Sequence, residues 1–250
     1  MPISANFTSI LSKNWEINFL QCYPNGYLKY TELCNLFQLT AAKHSEVGGI
    51  SFSDMQKFNQ AWVLSKMRVE IYSLPQWKDV VTVKTWIKSL ENSRSVRCLE
   101  LYIGTNKIAG CETFWAVINT QTRRPETFAL PNEHFKKYPN HNATEKSFSK
   151  IDIQKDFEIH KKRIVQLSDL DIVNHANSVK YIEWCLDGLD SRILLEQNLK
   201  ALEMNYMKEV SLNELVEINQ FKNTFTITKE GKTCFALELE LKKKIINDFE

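Results

Sequence analysis

Glycine and proline are scarce in this 250-residue chain, at 7 and 6 residues. That shortage excludes a collagen-like or low-complexity polypeptide and argues against a glycine-rich loop that cradles phosphates. Neither G-x-G-x-x-G nor G-x-x-x-x-G-K occurs. No run of 18 apolar residues is present, so no helical membrane span is expected. The stretch from Met1 to Leu20 lacks a basic segment followed by an apolar one, and does not read as a signal peptide. Neither sign of charge dominates. With 32 basic and 30 acidic residues, the net charge of +2 provides no field for wrapping nucleic acid. The six cysteines, at 22, 34, 98, 111, 185 and 234, form no C-x-x-C pair and have no histidine spaced to complete a zinc site. Lying in apolar or alternating stretches, they read as reduced, small hydrophobes. A reduced, cytoplasmic protein with no metal or other cofactor is the expectation.

What is present suffices for a folded core: 43% of residues are hydrophobic and 25% charged. It also repeats. Residues 28–34 read Leu-Lys-Tyr-Thr-Glu-Leu-Cys, and residues 179–185 read Val-Lys-Tyr-Ile-Glu-Trp-Cys. Trp15-Glu16-Ile17 upstream of the first copy resembles Phe157-Glu158-Ile159 upstream of the second. Each copy continues with a helical period. Leu33, Leu36, Phe37, Thr40 and Ala41 share a face in the first; Ile182, Cys185, Leu186, Leu189 and Ile193 share one in the second.

Alternating strands follow each helix. In the first copy they are Met67–Ile71, Val80–Ile87, Val96–Ile103 and Cys111–Asn119. In the second they are Leu202–Tyr206, Leu215–Phe221, Phe225–Lys229 and Cys234–Lys242. Turn signals sit at Gly104-Thr105-Asn106-Lys107 and Lys229-Glu230-Gly231-Lys232. Each half therefore reads as a strand, a long helix, then about four antiparallel strands. Such an α+β unit covers the apolar face of its sheet with the helix, which is the hotdog arrangement. Two copies make a double hotdog. The expected division is an N-terminal unit over residues 1–130, a polar linker over 131–152 and a C-terminal unit over 153–250.

The copies differ before their helices. The openings align at an offset of 142 residues and the Lys-Tyr segments at 151, which implies nine extra residues in the second copy. They fall around Ser168-Asp169-Leu170-Asp171-Ile172-Val173-Asn174-His175-Ala176-Asn177, where the first copy has only Tyr23-Pro24-Asn25-Gly26. His175 suits general base work near neutral pH, and a neighbouring carboxylate can fix its orientation. Amides at the helix start, around Asn177 and Ser178, can hold an oxyanion. An ordinary Asn/Asp-rich turn capped by Asn177 would have the same composition. A second difference sides with chemistry. Matching Asp79-Val80-Val81 with Glu214-Leu215-Val216 sets Glu209 opposite Leu74, a carboxylate against an apolar residue.

The run from Ser168 through Lys180-Tyr181 to Trp184 resembles the second-half signature of the acyl–acyl-carrier-protein (acyl-ACP) thioesterases. Ala61-Trp62-Val63-Leu64, the stretch from Pro75 to Thr85-Trp86, and the Trp115 strand ending in Thr122-Arg123-Arg124-Pro125 are similar to the first half. The resemblance covers nearly the whole chain. It implies hydrolysis of a fatty acyl thioester on acyl carrier protein, with Asp171, His175 and Glu209 as catalytic residues. The asparagine that the family places two residues after the aspartate is Val173 here; either Asn174, one place later, stands in for it as a catalytic amide, or the loop is wired differently. Val210 occupies the position where plant relatives have cysteine, so no thiol nucleophile is expected there.

By the same resemblance the first half shapes the acyl pocket, through the helix face from Leu33 to Ala41. Acyl carrier protein is the expected partner, with neither nucleic acid nor membrane, and a homodimer stays open. Basic clusters at Arg123-Arg124, Lys136-Lys137, Lys161-Lys162-Arg163 and Lys242-Lys243-Lys244 are candidate docking patches for that acidic protein. An acyl-CoA thioesterase, a hotdog dehydratase and a non-catalytic acyl-binding module remain as alternatives.

Overall fold

The computed structural model describes residues 3–242. Strands β1 (Ile10–Glu16), β2 (Gln60–Ile71), β3 (Val80–Glu91), β4 (Arg94–Ile103) and β5 (Asn106–Asn119) belong to the first half. Helices α1 (Tyr30–Val47) and α2 (Phe52–Gln56) lie between β1 and β2. The second half holds β6 (Glu158–Ile164), α3 (Ser178–Leu186), α4 (Ser191–Leu195), β7 (Leu199–Tyr206), β8 (Leu215–Phe221), β9 (Thr224–Lys229) and β10 (Lys232–Leu241). All ten strands form one antiparallel sheet in the order β1-β3-β4-β5-β2-β7-β10-β9-β8-β6. That order is the same five-strand pattern twice, joined back to back at β2 and β7. It is the double hotdog.

Strand alternation sorts the seam by face. Met67 and Val69 of β2, with Leu202 and Met204 of β7, enter the main core beneath the helices. Arg68, Glu70 and Glu203 point the other way and are nonetheless buried. The cover there is the segment over residues 120–157, which contains no helix or strand. Its backbone N–H groups at Glu145 and Lys146 donate to Glu70, and Ser149 N–H donates to Glu203. The crossing is tight: a Cβ at Gly110 would collide with the Ala143 carbonyl.

Helix α1 buries Leu33, Leu36, Phe37, Thr40 and Ala41, as the periodicity requires. Helix α3 is shorter than its sequence suggests. The expected face runs on to Leu189 and Ile193, but the helix ends at Leu186. Gly188 interrupts it, and Asp190 caps the separate α4 by accepting from Arg192 N–H at 2.9 Å. Leu189 and Ile193 still pack against the core from outside α3.

The nine-residue insertion is not there. Strands β1 and β6 begin 148 residues apart, as do the 3-10 turns Phe19–Gln21 and Leu167–Asp169. The bridges Cys22–Leu28 and Leu170–Ala176 keep that offset, and so do the helix caps Lys29 and Asn177. The loops are equal in length and differ in chemistry alone. Glu16 ends its strand whereas Glu158 begins its own, so the matched openings were out of register. The Lys-Tyr repeat sits three residues later in α3 than in α1. That is nearly one helical turn, so it presents similar residues to the core from a shifted position.

Candidate active site

The loop before α3 is pinned at both ends. Val165 N–H donates to Glu214 O, and Asn177 N–H to Asp169 O. Between them, Asp171 N–H donates to His175 O at 3.0 Å and Asn174 N–H to Asp171 O at 3.0 Å. Asn174 adopts φ 62°, the left-handed conformation of its counterpart Gly26 at φ 83°. The Asp171 carboxylate accepts from Val173 N–H at 3.0 Å and so shapes the turn. Among the described residues no hydrogen bond joins this carboxylate to the His175 ring.

The ring turns instead to Glu209. His175 Nε2 lies 3.5 Å from Glu209 Oε2, both side chains about one-third exposed, at 28% and 34%. His175 Nδ1 is buried with no hydrogen-bond partner. The segment carrying Glu209 meets the loop through Ala176 N–H, which donates to Val210 O, and Val210 N–H donates to the Tyr181 hydroxyl at 3.0 Å. Leu28 N–H donates to Pro75 O in the first half, the same bond at the equivalent place. That equivalence sets Glu209 against Leu74, as expected. Glu214 stands nearby; burial opposes its charge, but Lys229, the Ser211 N–H and His175 hold its pKa below the ordinary value.

The sequence reading treated Arg123 as part of a docking cluster. Its guanidinium in fact donates to Glu209 Oε2, bringing a cation from the first half onto the second-half carboxylate. The Thr122-Arg123-Arg124-Pro125 match was the available signal, but a motif does not reveal a contact 86 residues away.

Helix α3 starts beside this group. Asn177 caps it by accepting from Val179 N–H at 2.9 Å, and Ser178 Oγ donates to Gln38 Oε1 on α1 at 2.8 Å. A cavity of about 450 Å³ opens here, with Asn177, Gln38, Leu39, Ala42, Trp62 and Trp115 among its walls. Of the expected helix face only Ala41 reaches it. Leu33, Leu36 and Phe37 are core, and the neighbouring stripe of α1 through Gln38, Ala42 and Ser45 forms the wall. Trp86 is core rather than wall, stacked on His141.

Cys234 borders the segment carrying Glu209, its carbonyl accepting from Met207 and Lys208 N–H, and burial raises the pKa of its thiol. All six are unpaired. Burial pushes the Cys34 and Cys98 thiols up to about 12 and the Cys185 thiol higher still. Among the described residues, no three His, Cys, Asp or Glu side chains gather as a metal site would require. No helix of the described residues is long and apolar enough to cross a membrane.

Two family patterns cover the chain. Residues 9–138 match the acyl-ACP thioesterase N-terminal domain, and residues 152–247 match the C-terminal domain. The chain belongs to the acyl-ACP thioesterase family. It is 27% identical over 221 residues to the chloroplastic oleoyl-acyl carrier protein thioesterase of Coriandrum sativum, covering 79% of this chain and 59% of that protein. It is 27% identical over 224 residues to the chloroplastic palmitoyl-acyl carrier protein thioesterase of Cuphea hookeriana, covering 83% and 54%. The chain thus spans little more than half the length of these relatives. Among solved structures, an acyl-ACP thioesterase from Bacteroides thetaiotaomicron superposes with a TM-score of 0.84 at 21% identity, covering 94% of this chain and 98% of that one. The 12:0-ACP thioesterase of Umbellularia californica superposes at 0.76 and 18% identity, covering 94% and 98%. These acyl-ACP thioesterases share the double-hotdog fold of the present chain.

Proposed function

We propose that this acyl-ACP thioesterase family member hydrolyses the thioester of a fatty acyl chain on acyl carrier protein, releasing free fatty acid and ending elongation. The observation that carries this reading is the contact of Glu209 with His175, which stands two residues ahead of Asn177 in the cavity wall. A thioester is already an activated acyl group, so a positioned base and an oxyanion site suffice. Water adds through its oxygen to the carbonyl carbon while Glu209 takes its proton, with His175 holding the geometry. The carbonyl oxygen gains the electron pair and rests against the first turn of α3 at the Ser178 N–H, since the Asn177 N–H expected there is already given to Asp169 O. Collapse re-forms the C=O bond and breaks the C–S bond, and the proton passes through His175 to the departing sulfur. Asp171 maintains the turn that presents His175, and Arg123 orients the Glu209 carboxylate.

The first unit, residues 1–130, supplies the acyl cavity; the second, 153–250, supplies the catalytic residues, and 131–152 links them. The exposed Arg124, next to Arg123 at the site, is the basic position best placed to meet an acidic carrier. The other clusters are partly occupied: Lys162 pairs with Glu217, and Arg163 pairs with Asp169 and lies over Trp184. Lys243 and Lys244 of the last cluster lie outside the described residues. Unpaired cysteines fit a reducing, cytoplasmic setting. A thiol-release assay tests the reading, with saturated acyl chains of several lengths on acyl carrier protein and on coenzyme A. Turnover on the carrier protein that exceeds turnover on coenzyme A is expected. Faster coenzyme A hydrolysis would reassign the substrate, and no release from either would refute the activity.

A further inference from the structure

Around Glu209 the two halves match bond for bond. In the first half the Tyr72 and Ser73 N–H groups donate to Ile108 O; in the second, Met207 and Lys208 N–H donate to Cys234 O. With the matched bonds of Leu28 to Pro75 and Ala176 to Val210, this pairs Ile71 with Tyr206, Leu74 with Glu209 and Pro75 with Val210. The helix caps Lys29 and Asn177 pair Leu33 with Tyr181, each four residues further on. Every one of these pairings gains a polar group in the second half.

The gained groups meet. The Tyr206 hydroxyl donates to Ser178 O at 3.1 Å, and the Val210 N–H donates to the Tyr181 hydroxyl at 3.0 Å. Both acceptors lie on α3, so the segment from Tyr206 to Val210 is tied to that helix at each end. Glu209 lies between the ties. Val210 and Tyr181 are buried, so water does not compete for their bond. Burial also raises the Tyr181 pKa, which keeps the hydroxyl neutral. In the first half Ile71 and Leu33 have no hydroxyl and Pro75 has no N–H, so neither tie can form. Its segment keeps the same backbone bonds without them. The fold therefore does not require these hydroxyls, and a proline at 210 would dispose of the buried N–H as Pro75 does. What the second half adds is a carboxylate to hold.

We infer that Tyr181 and Tyr206 are positioning residues, whose hydroxyls hold the Glu209 carboxylate in contact with His175. The inference rests on the hydrolytic reading above and deepens it. His175 belongs to the same frame, because the N–H of the next residue, Ala176, donates to Val210 O at 2.9 Å. Base and histidine thus share one anchor at Val210, and Tyr181 sets that anchor. A displacement of about 1 Å at a reacting group can lower a rate about 10²-fold.

The experiment measures single-turnover hydrolysis of acyl-ACP, with enzyme in excess so that slow variants are resolved. Wild type, Tyr181→Phe, Glu209→Gln and the double variant are compared, with thermal melting of each. Phenylalanine keeps the ring that packs against Trp184 and Phe235 and removes the hydroxyl. We expect Tyr181→Phe to lower the maximal rate about 10-fold, with half-saturation within about 3-fold of wild type. In the Glu209→Gln background the same change should alter the rate by less than about 2-fold, because the group it positions is already gone. Its effect on melting temperature should be equal in the two backgrounds. A hydroxyl with only a structural role would slow both backgrounds alike, and that result overturns the inference. A folded Tyr181→Phe within about 3-fold of the wild-type rate overturns it too. Either result leaves the hydrolytic reading intact. An inactive wild type, or a wild-type rate in Glu209→Gln, overturns that reading and the inference together. Should Tyr181→Phe fail to fold, the same cycle with Tyr206→Phe decides. Slowing only where Glu209 is present supports the inference, and equal slowing or none overturns it.

Discussion

Asn174 shows how two explanations for one residue separate. The sequence reading makes it a catalytic amide standing in for the asparagine missing at Val173. The structure gives it a left-handed backbone, the conformation that Gly26 holds in the equivalent loop. Asparagine tolerates that conformation better than most residues. If the backbone is what matters, Asn174→Gly should keep turnover within a few-fold, while Asn174→Ala strains the turn and lowers both stability and rate. If the amide is required, glycine and alanine should fail alike. Steady-state rates with melting curves for the two variants decide between them. His175 and Glu209 were legible because the first half has Tyr23-Pro24-Asn25-Gly26 and Leu74 in their places, and because both fall on the family signature. Arg123 was not, since its partner lies across the junction between the halves.

Helix α1 carries a titration that belongs to the element rather than to the site. His44 is wholly buried near its C-terminal end, with its Nδ1 accepting from Arg97 at 2.8 Å and its Nε2–H donating to Thr8 O at 2.9 Å. Burial, reinforced by the Arg97 charge, pushes its pKa down to about 3. In the unfolded chain the ring takes a proton near pH 6.5. The unfolded state therefore binds one more proton below that pH, and stability falls as pH drops from about 6.5 towards 3. The slope from this group is up to about 1.4 kcal/mol per pH unit. Melting temperature followed from pH 7 to pH 4 should show that decline, and His44→Gln should flatten it. An equal slope in the variant would remove His44 from the account. The core face of α1, Leu33 to Ala41, was readable from its 3.6-residue period, but its run to Val47 and its neighbours were not. Periodicity carried the second helix past Gly188, because Leu189 and Ile193 remain apolar after the helix has ended.

The whole molecule is two repeats fused into one sheet, and the fusion has its own chemistry. Arg68 on β2 pairs with Glu70, with Glu203 across the seam on β7, and with Glu240 on β10. Burial works against the Arg68 charge, but the three carboxylates overcome it and raise its pKa. Removing the cation strands buried carboxylates, so Arg68→Ala should cost about 3–5 kcal/mol in urea unfolding. Because the network and the shared core bridge both halves, wild type should unfold in one transition. A loss below about 1 kcal/mol, or two resolved transitions, would contradict that coupling. The repeat itself was visible in sequence, and it gave the element order and the fold. The register was not, because the copied Lys-Tyr segment slid three residues along the helix and produced a false insertion.

The central claim is that the His175–Glu209 pair hydrolyses the acyl thioester. Single-turnover release of fatty acid from acyl-ACP by wild type and by Glu209→Gln tests it most directly. Glutamine keeps the shape of the side chain and removes the base. The account predicts a rate at least about 10²-fold lower with an unchanged melting temperature. Hydrolysis by Glu209→Gln at the wild-type rate would contradict it.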